Sequence, residues 1–203
     1  MKFSKFFSNL QESPWYREFL NPVMNCVGIN STLLDIGTGS GKMLEILFLE
    51  KNVNSVGTDT NRDMLNEAKI KLKNTTAELH LIKPGEPLKF EKHRFDYITI
   101  CNVLFNLKKP AIDFMVEDAL SLLKKNGQLL ILTPTGKGNS IKLTRHYLSY
   151  KNKGIYVWYR ATKKSAKNWT SENYLAGYTA KNKLKYKREF VMNGFAQLEI
   201  IER

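Results

Sequence analysis

Ten residues, Leu33 to Lys42, read Leu-Leu-Asp-Ile-Gly-Thr-Gly-Ser-Gly-Lys and carry the strongest chemical signal in the chain. Glycines at every second position, Gly37, Gly39 and Gly41, leave the backbone free to take positive φ and to approach a ligand closely. Asp35 narrows the ligand. A pyrophosphate seated on the free N–H groups of a helix start would be repelled by a carboxylate two residues before the first glycine. The ammonium group of an amino-acid moiety would instead be held by it. A second acid, Asp59, lies 18 residues beyond Gly41, where a βαβ unit places a carboxylate that accepts hydrogen bonds from ribose hydroxyls. Asp59 suits a nicotinamide dinucleotide equally well, so it speaks to the fold more than to the choice of ligand.

These residues need strands and helices to hold them. Thr32 to Ile36 predicts a buried strand, and Met43 to Phe48 the helix after the glycine turn, running to about Glu50. Ser55 to Thr58 predicts a second strand ending in Asp59, Glu78 to Ile82 a third, Tyr97 to Cys101 a fourth and Gln128 to Leu132 a fifth. Ala111 to Leu123 reads as a helix stopped by Lys124-Lys125-Asn126-Gly127 with a glycine cap. Asn193-Gly194, set between two strand-like runs, predicts a hairpin. Residues 1–30 read as one or two helices started by Pro14 and packed through Trp15, Phe19, Leu20 and Val23. Ligands of open α/β sheets sit outside the carboxyl ends of the strands, which makes Asn102 a wall of the expected pocket.

The turn resembles the first motif of class I S-adenosylmethionine-dependent methyltransferases, apolar-apolar-Asp-apolar-Gly-x-Gly-x-Gly. Val56-Gly57-Thr58-Asp59-Thr60-Asn61-Arg62-Asp63-Met64-Leu65 is similar to the second motif of the small-molecule branch of that family. Leu122-Leu123-Lys124-Lys125-Asn126-Gly127-Gln128 is similar to the turn that precedes its fifth strand. The resemblance covers residues 31–135 and, in outline, the terminal hairpin. It implies a Rossmann-like α/β fold: a seven-stranded mixed sheet with helices on both faces and an antiparallel last strand. It also implies S-adenosyl-L-methionine as cofactor and S-adenosyl-L-homocysteine as product. Carried onto this chain, the methionine end falls to Asp35 and to the turn Gly37, Thr38, Gly39 and Gly41, the ribose to Asp59 and Thr60, and adenine to Met64. The acid that relatives place after the third strand is replaced here by Pro84, which leaves Gly85 backbone or Glu86 for adenine, or an adenine that is read loosely. The same resemblance puts substrate elements after the fifth strand, where His146, beside Tyr147, is the best placed base. Trp15-Tyr16-Arg17 is a further candidate, as a lid.

Length and composition frame the rest. The chain of 203 residues, with 42 % apolar and 25 % charged residues, reads as one domain of a globular protein. Within it, residues 1–30 form a lead-in, 31–135 the cofactor core, 136–181 a helical substrate or partner region and 182–203 the hairpin. No apolar run approaches the roughly 20 residues of a membrane span, no signal peptide is visible, and the two cysteines lack metal spacing. A cytoplasmic protein without metal is the expectation. The charge is uneven: residues 1–136 hold 17 Lys or Arg against 15 Asp or Glu, whereas residues 137–203 hold 15 against 4. With its aromatics, this basic third reads in three ways. It can wall a pocket for an anionic or aromatic small molecule, with Arg145 or Arg160 as clamp. It can present an RNA face, or it can make a peripheral membrane patch. A small-molecule methyltransferase is the leading expectation, with an RNA methyltransferase and a non-catalytic cofactor-binding protein as alternatives. The oligomeric state is not legible in the sequence.

Overall fold

The computed structural model describes residues 3–202; Met1, Lys2 and Arg203, the ends of the lead-in and of the hairpin, lie outside the described residues. Helices α1 (Phe3–Gln11) and α2 (Pro14–Cys26) open the chain, with Pro14 in the first turn of α2, where its missing N–H costs nothing. Strand β1 (Thr32–Ile36) then leads through the glycine turn into α3 (Lys42–Lys51), β2 (Asn54–Asp59), α4 (Arg62–Lys71) and β3 (Glu78–Leu81). Next come β4 (Phe95–Cys101), α5 (Lys109–Leu122) and β5 (Leu123–Pro134). Three helices follow, α6 (Ser140–Tyr147), α7 (Gly154–Glu172) and α8 (Tyr174–Lys181), before β6 (Lys185–Val191) and β7 (Ala196–Glu202).

All seven strands join one sheet in the order β3-β2-β1-β4-β5-β7-β6. The first five are parallel, and β7 runs antiparallel between β5 and β6. This is the mixed Rossmann-like sheet expected from the sequence. Alternation along each strand divides the core in two. Leu33 joins α1, α2, α3, α4 and α6 in one cluster, while Leu34 and Ile36 join α5 and α8 in the other. Helix α7 serves both: Ile155, Trp158 and Tyr159 belong to the first cluster, Ala166 and Trp169 to the second. At 19 residues, it is about 28 Å long. Gly136 lets it lie against the end of β5, since a Cβ there would come within 2.3 Å of the Lys163 carbonyl oxygen.

Two local readings change. Helix α5 is not stopped by a glycine cap at Gly127: Leu123 is already extended and pairs with Phe95, so β5 begins there and bulges before Gln128 pairs with Tyr97. Asn126 takes the left-handed conformation, and Gly127 is needed because a Cβ would press on the carbonyl oxygens of Asp96 and Lys124 at 3.0 Å. The terminal hairpin turns through four residues, since Val191 pairs with Ala196 and the intervening Met192, Asn193 and Gly194 all have positive φ. Asn193-Gly194 marks the turn without being the whole of it.

Candidate active site at the carboxyl ends of β1, β2 and β4

The order of the sheet reverses between β1 and β4, and a cleft of about 400 Å³ opens there at the carboxyl ends of the strands. Its base is the glycine turn. The N–H groups of Gly37 and Thr38 both reach the Thr58 carbonyl oxygen, at 2.8 and 2.9 Å, which folds the turn over the end of β2. Gly37 has φ +84° and faces Val103, whose Cγ2 would lie 2.6 Å from an added Cβ. An added Cβ on Gly39 would come within 3.4 Å of Gln11 Nε2 and Met64 Cε, both from residues that line the cleft.

Asp59 joins the two motifs. Its Oδ2 accepts the Gly39 N–H at 2.9 Å and its Oδ1 the Asn61 N–H at 2.8 Å. Asn61 in turn caps α4, accepting from the N–H groups of Asp63 and Met64. The cap starts the helix at the residue that sets Met64 against the cleft. Each Asp59 oxygen has a lone pair left for a ligand hydroxyl.

Asn102 forms the opposite wall, in left-handed conformation at φ +63°. Its N–H is held by the Leu132 carbonyl oxygen at 2.8 Å, and its Oδ1 accepts from Trp158 Nε1 at 3.2 Å. The α7 indole is itself packed between Trp15 and Phe19. Helices α1 and α2 complete the wall with Gln11 and Tyr16: Gln11 donates to the Tyr16 hydroxyl at 2.8 Å and accepts from Ser40.

The cleft thus gathers Gly37, Gly39, Asp59, Thr60, Met64 and Asn102 of the residues expected to bind cofactor. Asp35 lies beneath it, 3 % exposed, and takes a hydrogen bond from Thr99 at 2.8 Å. Burial pushes its carboxyl up to about 6, against the pull of that bond. Thr38 is buried beside Gly57. Gly41 does not line the cleft: it starts α3 with φ +77°, where a Cβ would collide with Leu72 of the α4 C-cap at 2.7 Å. Its role is close packing of α3 on α4. Gly85 and Glu86 sit on the exposed loop after β3, with Glu86 paired to Lys83 at 3.3 Å, and neither lines the cleft.

The basic third is arranged differently from its sequence reading. His146 is exposed on α6, and Tyr147 is buried with its hydroxyl donated to Glu18 at 2.6 Å; neither reaches the cleft. Arg145 and Arg160 are exposed on outer helix faces, so neither can clamp a ligand in the cleft. Of the proposed lid, Tyr16 lines the cleft, Trp15 is core, and Arg17 pairs with Glu50 at 2.8 Å. Among the described residues, no Lys, Arg or His lines the cleft. Gln11, Val103, Asn106 and Met115 line it without a sequence motif to announce them; the only signal was the apolar period of the flanking helices.

Residues 33–127 match the family model described as a methyltransferase domain. No curated protein matches the chain. Solved structures do match, as likenesses of fold. One is a SAM-dependent methyltransferase from Aquifex aeolicus, at TM-score 0.70 and 15 % identity over 99 % of both chains. A second, described as a candidate S-adenosyl-L-methionine-dependent methyltransferase of Methanococcus maripaludis, has TM-score 0.74 and 14 % identity over 98 % of this chain and 91 % of that one. Haemonchus contortus phosphoethanolamine N-methyltransferase 1, solved with phosphoethanolamine and S-adenosylhomocysteine, has TM-score 0.53 and 13 % identity over 61 % of this chain and 28 % of its own.

Proposed function

We propose, from the match of residues 33–127 to a methyltransferase-domain model and the resemblance of the glycine turn to class I S-adenosylmethionine-dependent methyltransferases, that this chain moves a methyl group from S-adenosyl-L-methionine to a small acceptor. The observation that carries the reading is the cleft between the glycine turn, Asp59 and Asn102. Its volume of about 400 Å³ falls within the usual range of small-molecule sites, about 300–1,000 Å³. The residues present fit the cofactor: backbone at Gly37 and Gly39 that side chains would fill, a carboxylate with free lone pairs at Asp59, and Met64 for an apolar face.

When bound, the cofactor supplies a methyl group already activated by its sulfonium, so the transfer is a direct displacement. The chain's own part is to bind, orient and keep out water. Asp59 holds the ribose hydroxyls. Asp35 lies under the turn, where its ionised form favours an ammonium group nearby. Asn102, locked by Trp158, keeps the wall of the cleft in one conformation, and Tyr16 with Gln11 closes the side toward solvent. With no Lys, Arg or His on the cleft, the acceptor is best read as one whose nucleophilic atom needs no protein base, and as aromatic or apolar rather than anionic. Tyr16, Val103 and Met115 offer it a surface.

Calorimetric titration with S-adenosylhomocysteine and, in parallel, NAD tests the cofactor, on the parent and on Asp59→Ala. Binding of the first alone, weakened in the variant, supports the reading; binding of NAD alone removes it. A labelled-methyl screen over small molecules and RNA then tests the acceptor. A chain that binds the cofactor and methylates nothing is a non-catalytic binding protein.

A further inference from the structure

The insert between β5 and β6 carries a surface that the cleft does not use. Residues 137–171 hold nine Lys or Arg and no Asp or Glu. The helical period sorts their neighbours. On α6, Leu143 and Tyr147 turn inward, whereas Ile141 and Arg145 share the opposite face at i and i+4, and the C-cap residue Leu148 follows, also exposed. Ile141 is 81 % exposed and Leu148 79 %. On α7, Ile155, Trp158, Tyr159 and Trp169 turn inward, while Val157, Arg160 and Lys164 form the outer stripe. The inner faces of both helices meet around Phe195, against which Tyr147 and Tyr159 pack with ring centroids 6.3 and 5.9 Å away.

Two features characterise this face. Its cations lack acidic partners: among the described residues, none of Lys142, Arg145, Arg160, Lys163, Lys164 and Lys167 forms a salt bridge, although Lys142 and Lys163 lie over the Phe195 and Tyr159 rings. Its exposed apolar groups are aliphatic. No Trp, Tyr or Phe among the described side chains of residues 137–171 is exposed, so those side chains present no stacking platform of the kind single-stranded RNA uses. Exposed aliphatic side chains on helices rich in Lys and Arg and without acids are the composition of an interfacial helix.

We propose that the outer face of α6 and α7 docks on an anionic lipid surface. Ile141, Leu148 and Val157 enter the boundary between headgroups and acyl chains, and the surrounding Lys and Arg meet the lipid phosphates. Each cation held near an anionic leaflet strengthens binding about fivefold. The inference does not rest on methyl transfer.

Flotation with vesicles of phosphatidylcholine alone, and of phosphatidylcholine with phosphatidylglycerol, tests it on the full chain. The parent should float with the anionic vesicles only. The double variant Ile141→Asp/Leu148→Asp should float at least about tenfold less well, and Arg160→Gln/Lys164→Gln about 25-fold less. All four positions are exposed, and a thermal melt checks that each variant is folded. Lys73→Gln, a charge removed from an exposed site after α4, should float like the parent. Three results would each overturn the proposal: no flotation of the parent, full flotation of the Ile141→Asp/Leu148→Asp variant, or retention on oligouridine without any on vesicles.

Discussion

Residues 31–135 and residues 136–203 build one sheet and treat their buried polar groups in opposite ways. In the first region Asp59, Asn61 and Asn102 gather at strand ends and keep lone pairs or donors facing a cleft. In the second a buried carboxylate is consumed by internal donors. Glu199, 1 % exposed in β7, accepts from Trp169 Nε1 at 2.9 Å, Gln197 Nε2 at 3.0 Å and the Tyr186 hydroxyl at 2.7 Å. Burial raises its pKa while these donors oppose the rise. Asp59, half-buried at the cleft, has capacity left to bind a ligand, whereas the buried Glu199 has its oxygens taken by internal donors. A polar group facing a cavity with spare hydrogen-bonding capacity is a site; one whose partners are all internal is a brace.

The largest effect should come from breaking the brace. Glu199→Leu leaves three donors unpaired and should lower stability by about 3–5 kcal/mol, without changing S-adenosylhomocysteine affinity of the folded fraction. Urea melts and titration separate the two, and weakened binding per folded molecule would end the contrast. Asp35 gives an effect of nearly that size through pH. Its folded pKa of about 6 exceeds the ordinary 3.8, so the folded chain holds the proton more tightly than the unfolded one. Below pH ~4 both states are protonated; as pH rises to ~6 the folded state must bury a charge, and stability falls by on the order of 3 kcal/mol. Asp35→Asn should lack that fall, and equal pH slopes for parent and variant would refute it.

Asp59→Ala should weaken S-adenosylhomocysteine binding about 30- to 150-fold, the worth of about 2–3 kcal/mol of charge-assisted hydrogen bonding, with a small change in melting temperature. A smaller pair of variants divides the glycine turn itself. Gly39→Ala places a methyl group toward the cleft and should lower affinity, while Gly41→Ala, meeting Leu72, should lower stability by about 1–3 kcal/mol and spare affinity. The reverse pattern would show that Gly41 rather than Gly39 approaches the ligand. Least of all should be His146→Ala, within about 0.5 kcal/mol in stability and neutral in methyl transfer once an acceptor is known. Lost transfer would restore the sequence reading of His146 as a base.

What could be read in advance follows the range of the interactions involved. The glycine turn, Asp59 at its 18-residue spacing and the apolar strand runs are local patterns, because strand–turn–helix geometry is set by neighbours in sequence. With the family resemblance that they carry, they were enough for the seven-stranded mixed sheet and for half of the cleft. The aromatics of the last third gave the right period and no direction: Tyr147, Trp158, Tyr159 and Trp169 are buried packing groups, and Arg145 and Arg160 face outward.

The chain's sequence alone determined that a positive-φ turn would sit between a buried strand and a helix, with a carboxylate below it and another at the end of the next strand. Only the tertiary structure decided that Gln11 and Tyr16 close that cleft, that Trp158 reaches Asn102 from 56 residues away, and that Gly41 is packed against Leu72. The physical reason is that a side chain's direction depends on how its helix is rotated when it docks. That rotation is chosen by the packing of both cores together, and by no pattern within ten or twenty residues.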